Sequence, residues 1–383
     1  MTRLSGYIAL ILFITSFYLS ARIPIINKFF DGLKRQLCWH HWIAIISVIA
    51  MTCHFIQLFW RYINHINLLF RWNDIAILTG WITLIGIILI TIFALFRRLI
   101  PYRQWRGIHL TSAACLVTAL IHTFIFLEPN KLEEWLMYLS LTIFSATALL
   151  LSIVLPGFSN WGKKYLIKKI YEIRPKLFLL QLYPTDLASR HFKFEPGHFV
   201  YLKFLSKNFS RIWHPFTIIS RPSANYIELF IKDRGKDTQL LNTISLPSPV
   251  RILAPFGTAF WKMNQSQLWI AYGIGSAIFL AAIRSFPNAF SEKIHFICCD
   301  SSESNFFFKG ELNRCMKQNP NFTWEFYIGS GQQFVDNFNH KPFDNMQFKL
   351  IRICGHPGFQ NNLKSALKAK GVRSTNINLE GLL

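Results

Sequence analysis

The chain has 383 residues, 52% of them hydrophobic, with 37 Phe, 12 Trp and a formal net charge of +22. So apolar a composition excludes a single soluble domain and puts part of the chain in a lipid bilayer, within a length that allows two or three domains. The basic excess brackets apolar spans, as cytoplasmic loops do, so no nucleic-acid partner is expected.

Five apolar stretches, residues 4–21, 36–60, 74–96, 105–127 and 135–155, each approach the roughly 20 residues of a membrane crossing. Arg22, Lys28, Lys34 and Arg35 follow the first, and Arg97, Arg98, Arg103 and Arg106 follow the third. Glu128, Glu133 and Glu134 follow the fourth. Basic loops stay inside, which puts the N-terminus outside and everything after the fifth span in the cytoplasm. The first stretch carries Arg3 ahead of its apolar run but lacks an A-x-A cleavage site, so it is read as an uncleaved span rather than a signal peptide.

After Pro156 the composition changes, and Lys163, Lys164, Lys168 and Lys169 suggest a basic juxtamembrane linker over residues 158–172. Short apolar runs then alternate with turn residues, at 199–202, 216–219, 227–231 and 250–253. That spacing predicts an antiparallel β-barrel over residues 173–262. From 263 to 383 strand and helix patterns alternate, predicting a parallel α/β domain. Residues 1–157 form the membrane domain. The seven cysteines make no C-x-x-C pattern, which leaves a zinc ribbon, covalent c-type haem and a disulfide framework without support. A reducing compartment suits the soluble half.

Four histidines stand out on the apolar stretches. His40 and His54 are fourteen residues apart, and His109 and His122 thirteen. An intramembrane imidazole is costly without a bound partner. Fourteen residues of helix climb about 21 Å and return near the same face. Thirteen leave His122 well off the face of His109 on an ideal helix. Both helices run from inside to outside, so His40 and His109 share an inner level and His54 and His122 an outer one. Two matched levels predict two haems stacked across the bilayer. Arg35, Arg103 and Arg106 lie near the inner level as propionate partners. His41, also thirteen residues before His54, competes with His40, and His65 falls in the outer loop.

In the second half, His214-Pro215-Phe216-Thr217 stands between strand-like runs, an aromatic and a hydroxyl suited to a flavin ring. Lys232, Gly235 and Thr238 offer a cation, a turn and a hydroxyl to a pyrophosphate. Ala254-Pro255-Phe256-Gly257 closes the barrel. Gly273-Ile274-Gly275 follows a strand and opens a helix, where backbone N–H groups approach a phosphate. Cys354-Gly355-His356-Pro357 ends a later strand, where the thiol suits either a place beside reacting rings or a buried small residue before a glycine turn.

In this order the motifs resemble the ferric reductase and NADPH oxidase superfamily over nearly the whole chain. The histidine pairs and His214-Pro215-Phe216-Thr217 carry most of the likeness. Lys232, Gly235 and Thr238 fall on the family's I-R-x-x-G-D-x-T, and Ala254-Pro255-Phe256-Gly257 on its G-P-Y-G. Gly273-Ile274-Gly275 falls on its G-I-G-x-T-P, and Cys354-Gly355-His356-Pro357 on its C-G-P-P. The resemblance implies electron flow from NADH or NADPH to FAD, then through inner and outer haems to an acceptor outside. It implies FAD contacts at His214, Pro215, Phe216, Thr217, Lys232 and Thr238, and NAD(P) contacts at Gly273, Gly275, Cys354 and Gly355. Thr217 and Cys354 are the residues expected beside the reacting rings.

The chain departs from the family in several places. Ser276-Ala277-Ile278 replaces x-T-P, Lys232 stands for arginine and Asp237 for an aromatic. Asp300 stands where many members have an arginine, an exchange that favours NADH. The C-terminus, Leu379 to Leu383, lacks the aromatic that covers the flavin. Leu58 stands where oxygen-reducing members tend to have a histidine, and five spans are counted where six are usual in the oxidases. The expected activity is therefore an NAD(P)H-dependent reductase of ferric iron or another metal or small acceptor. A superoxide-producing oxidase is the second reading. A haem-binding membrane partner or sensor with little turnover is the third.

Overall fold

Among the described residues, five helices are long and apolar enough to cross a bilayer: Arg3–Ser20, Leu33–Arg61, Ile75–Leu95, Gln104–Ile125 and Leu132–Val154. They belong to a computed structural model. It describes residues 2–30, 32–157, 162–190, 192–210, 212–257, 265–286, 290–303, 306–340 and 348–381. Leu382 and Leu383, part of the expected aromatic-free C-terminus, lie outside the described residues. The chain divides into two units, residues 1–158 and 159–383.

The membrane unit runs α1 (Thr2–Ser20), α2 (Pro24–Phe29), α3 (Leu33–Arg61), α4 (Ile75–Leu95), α5 (Tyr102–Leu110), α6 (Ser112–Ile125) and α7 (Leu132–Leu149). Its core packs Phe13, Phe17, Ile87, Ile90, Leu116 and Leu141. Polar side chains tie the helices together, as bundles in lipid require. Gln36 Nε2 donates to Leu19 O at 3.0 Å and Ala21 O at 2.7 Å, and Ser47 Oγ donates to Ala9 O at 3.1 Å. The hydroxyls of Thr83 and Thr118 meet at 2.8 Å. Ile46, Ile49, Leu89, Ile92, Ile143 and Phe144 face outward, a surface suited to hydrocarbon and unsuited to water. Arg3 meets Glu128 at 2.7 Å and Glu134 at 2.8 Å, so the start of α1 and the acidic loop share one face. Four crossings between them require that.

The fourth span tightens where the histidine spacing needs help. Thr111 separates α5 from α6, and its N–H donates to Ile108 O at 3.1 Å, an i→i−3 bond. Its hydroxyl donates to the same oxygen at 2.6 Å. Such a three-residue turn advances about 120° per residue against about 100° in an α-helix. This overwinding supplies part of the rotation that thirteen residues leave missing.

The second unit opens with six strands: β1 (Lys163–Arg174), β2 (Leu177–Pro184), β3 (Phe199–Phe204), β4 (His214–Thr217), β5 (Ile227–Lys232) and β6 (Ser248–Phe256). All pair antiparallel in the order β4-β3-β6-β1-β2-β5, and an Ile218–Leu229 bridge joins the two edges into a barrel. Ile167, Leu180, Val200, Leu229 and Ile252 fill it. The lysines expected in a linker over 158–172 correct that boundary, since Lys163 begins a central strand. Tyr165 and Ile167 point into the core, and a bulge between Ile167 and Lys169 turns two consecutive lysines outward. That bulge breaks the alternation by which a strand is read.

Five parallel strands follow: β7 (Gln267–Tyr272), β8 (Ile294–Asp300), β9 (Phe322–Ile328), β10 (Leu350–Cys354) and β11 (Ile377–Glu380), in the order β11-β10-β7-β8-β9. Trp269 packs on one face with the helix Ser276–Ser285, and Leu268 and Ile270 pack on the other with the helix Pro357–Ala369. Arg284 joins this sheet to the barrel. It donates to both carboxylate oxygens of Glu311 at 2.7 Å, to Glu228 at 3.1 Å and to Ile219 O at 3.2 Å.

Candidate functional site

In the membrane unit His40 and His109 converge. The rings of His40 and His109 lie 6.1 Å apart, centre to centre, at 82°. Two metal–imidazole bonds of about 2 Å, with about 1 Å from each nitrogen to its ring centre, span roughly 6 Å. A pair at this spacing would hold one metal centre, such as a haem iron, between its two rings. His40 Nδ1 lies 2.8 Å from Ser16 O, which leaves Nε2 as the nitrogen that could ligate a metal. His109 stacks on Trp105 at 5.1 Å and 14°, and its buried Nδ1 has no hydrogen-bond partner among the described residues. His41 is exposed and packs on Trp42, so of the two alternatives it is His40 that meets His109.

The other level has a similar build. His122 Nδ1 lies 2.7 Å from Ala76 O, and His54 Nδ1 lies 3.2 Å from Ser5 Oγ. Glycine opposes each imidazole: a Cβ on Gly80 would stand 2.9 Å from His122 Cε1, and one on Gly6 would stand 3.2 Å from His54 Cε1. Ser5 and Ser16, the contacts of His54 and His40 on α1, are about 16 Å apart along the helix axis. Among the described residues no group of three or more His, Cys, Asp or Glu side chains could hold a metal ion. Axial haem ligation needs only two.

In the second unit, the chain order of the parallel sheet reverses between β7 and β10, the position where such sheets bind ligands beyond their carboxyl ends. Ala271 and Cys354 are paired across that junction. Gly273 follows β7 with φ +59°, and a Cβ on Gly275 would stand 2.7 Å from Cys354 O. The sequence-predicted Gly273, Gly275, Cys354 and Gly355 are thus brought together, with Cys354 buried. Asp300 ends β8 beside them, its Oδ2 3.9 Å from a Cβ built on Gly273 and 3.8 Å from Arg174. His356, where the family has proline, turns out to be a helix cap: its Nδ1 accepts from Phe359 N at 3.1 Å.

The flavin-side residues separate into two groups. His214, Pro215, Phe216 and Thr217 form the edge strand β4, and the Phe216 ring stacks on His214. Thr238 is buried in the turn after β5, where its oxygen accepts from Arg234 N and Gly235 N at 3.0 Å and its hydroxyl lies 2.9 Å from Asp233. That hydroxyl organises the turn. Nearby Lys232 has a lowered pKa, from burial first and then from the neighbouring Arg234 and Arg174, with Asp300 opposing. Cations crowded in this way fit an anion such as the FAD pyrophosphate.

Sequence reading noted Asp237 only as a departure. In the structure it is buried and links the two groups. Its carboxylate accepts from Ser210 N at 2.9 Å, meets the Ser210 hydroxyl, and lies 2.7 Å from His214 Nε2. Burial opposes the charge, but the Ser210 and His214 hydrogen bonds outweigh it and hold the pKa below the ordinary carboxylate value. The only sequence signal was an acid in place of an aromatic.

Comparison with known proteins places two families in this order. Residues 5–120 match a ferric reductase-like transmembrane component, and residues 179–288 match an FAD-binding domain. These two matches bear out the resemblance to the ferric reductase and NADPH oxidase superfamily: an apolar, multi-helix transmembrane component followed by an FAD-binding domain. Among curated proteins none matches the sequence. Solved structures align with 57% of this chain. The flavohem-like FAD/NAD binding domain of nitric oxide dioxygenase from Vibrio cholerae aligns at TM-score 0.48 and 15% identity, over 57% of this chain and 98% of that one. A ferredoxin NADP+ reductase from Neisseria gonorrhoeae with bound FAD and NADP aligns at 0.44 and 16%, over 57% and 97%. Ferredoxin-NADP+ reductase from Plasmodium falciparum aligns at 0.47 and 16%, over 57% and 95%.

Proposed function

We propose that this chain carries electrons from cytoplasmic NADH or NADPH, through FAD and two b-type haems, to ferric iron or another small acceptor outside a bacterial inner membrane. The observation that carries the reading is the 6.1 Å approach of His40 to His109, on a level of α1 about 16 Å from the contacts of His54. When bound, FAD would supply the conversion between hydride transfer and the single electrons that haem iron accepts. His40 with His109, and His54 with His122, would hold the irons. His214, Pro215, Phe216 and Thr217 would line the isoalloxazine, and Lys232 the pyrophosphate. Gly273, Gly275 and Gly355 would admit the dinucleotide close to the backbone, with Cys354 at the reacting edge. The Asp300 carboxylate beside the Gly273 turn opposes a 2′-phosphate, so NADH is the favoured donor.

An absorption spectrum of the purified chain during anaerobic addition of NADH, then NADPH, tests this. Two low-spin haems and one flavin should be reduced, faster by NADH. A colourless polypeptide that takes up no haem on reconstitution would refute it.

A further inference from the structure

The four histidines are not held alike, and this difference, which rests on the haem reading above, identifies a further residue. His40 and His122 aim Nδ1 at main-chain carbonyls, Ser16 O and Ala76 O. His109 Nδ1 is buried with no hydrogen-bond partner among the described residues. His54 Nδ1 instead meets a side-chain hydroxyl, Ser5 Oγ, at 3.2 Å. A hydroxyl has one hydrogen, and Ser5 donates it to Gln57 Oε1 at 2.9 Å. Its oxygen therefore presents a lone pair to His54, and the proton between the two belongs to Nδ1. That tautomer leaves Nε2 bare, the form that ligates iron. Gln57 stands one turn beyond His54 on α3, so one helix supplies both the ligand and the group that orients its neighbour.

We propose that Ser5, oriented by Gln57, is a positioning residue for the outer iron ligand. It holds His54 as an Nδ1–H donor, fixes the ring's orientation and raises its basicity toward the metal. A more basic ligand favours ferric iron, so the outer centre titrates at a lower potential than it would without the hydroxyl. Among the described residues the other Nδ1 atoms meet main-chain oxygens or no hydrogen-bond partner, so here it is a side chain that adjusts the ligand's electronics.

The test is an anaerobic redox titration of the full-length, haem-loaded chain, with the outer centre identified as the component missing from His122→Ala. Ser5→Ala should raise the outer midpoint and leave the inner one in place, and Ser5→Thr, which keeps the hydroxyl, should restore it. Gln57→Leu releases the Ser5 hydrogen to compete for Nδ1, and should move the outer midpoint in the same direction and change its low-spin EPR signal. Unchanged midpoints in Ser5→Ala, with both haems bound, overturn the inference alone. So does a Ser5→Thr shift as large as that of Ser5→Ala. If Ser5→Ala sheds the outer haem, Gln57→Leu decides, and an unshifted outer centre there overturns it. A wild-type chain without a Soret band overturns the haem reading and this inference together.

Discussion

The membrane unit and the reductase unit place their chemistry in opposite ways. In the first, a few polar side chains on regular helices make the site, and the backbone serves mainly to cap their nitrogens. In the second, the site lies where strands end, and much of it is main chain. There a glycine lets one turn reach another, as Gly275 does against Cys354 O. Ligands on helices can be found by counting residues, because an imidazole in an apolar span has no ordinary reason to be there. Sites made of turns resist counting, because what matters is whether backbones approach.

The sharpest way to break this comparison is to remove a ligand. His122→Ala should abolish the outer haem and all transfer beyond the inner one while leaving flavin reduction by NADH intact, as read from haem content and stopped-flow flavin bleaching. Survival of both haems would show that the membrane site is not built from these side chains. Crowding a ligand is the next largest effect. Gly80→Val pushes a Cβ into His122 from 2.9 Å, and overpacking of this kind typically costs about 1–3 kcal/mol. Most outer haem should be lost from a chain that still inserts, as judged by the ratio of haem to protein.

The turns of the reductase unit should respond to a single methyl. Gly275→Ala drives a Cβ against Cys354 O at 2.7 Å, a main-chain atom that cannot step aside. Reduction by NADH should slow by roughly tenfold or more, about 1.4 kcal/mol per factor of ten, with the Soret spectrum unaltered. A rate equal to wild type would mean that the β7 and β10 turns do not form the nicotinamide site.

Smaller effects belong to charges. Asp237→Asn weakens hydrogen bonds to a charged group, each worth about 1.5–3 kcal/mol, and should weaken FAD retention on dilution. Because its folded pKa lies below the unfolded value of about 4, the contribution of Asp237 is complete above that value. It is lost as pH falls through the lower folded pKa. Wild type should release flavin more readily below about pH 4, and the variant should lack that component. Asp300→Asn should narrow the preference for NADH over NADPH by a few fold, seen in the ratio of kcat/KM values, with haem content unchanged.

The sequence was most legible where hydropathy is long and uninterrupted. All five spans were placed within a few residues, and Asp74, expected at the edge of the third, caps α4 by accepting from Ala76 N. The strands β3, β5, β7, β8 and β10 were visible as apolar runs. β1 was hidden by its lysines and its bulge, and β2, Leu177–Pro184, by an apolar run without alternation beside a turn. The helix Gly331–His340 buries only Phe334, Val335 and its first glycine, too few to show a period. Site residues were legible as motif letters, but their jobs were not. Thr238 was expected to offer its hydroxyl outward and instead spends it within its own turn. The Thr111 break carries no signal, since threonine is ordinary in a membrane helix.

The first helix touches both histidine levels, through Ser16 O at one end and Ser5 at the other. Translation delivers α1 and α3 first, as a hairpin already bearing one half of each proposed iron site. The remaining halves, His109 and His122, emerge only with the fourth span. Porphyrin loading on this scheme is a checkpoint in biogenesis: neither metal can be closed in until four crossings have assembled, and a nascent chain that loses its leading segment to a peptidase forfeits the braces of His40 and His54 at once.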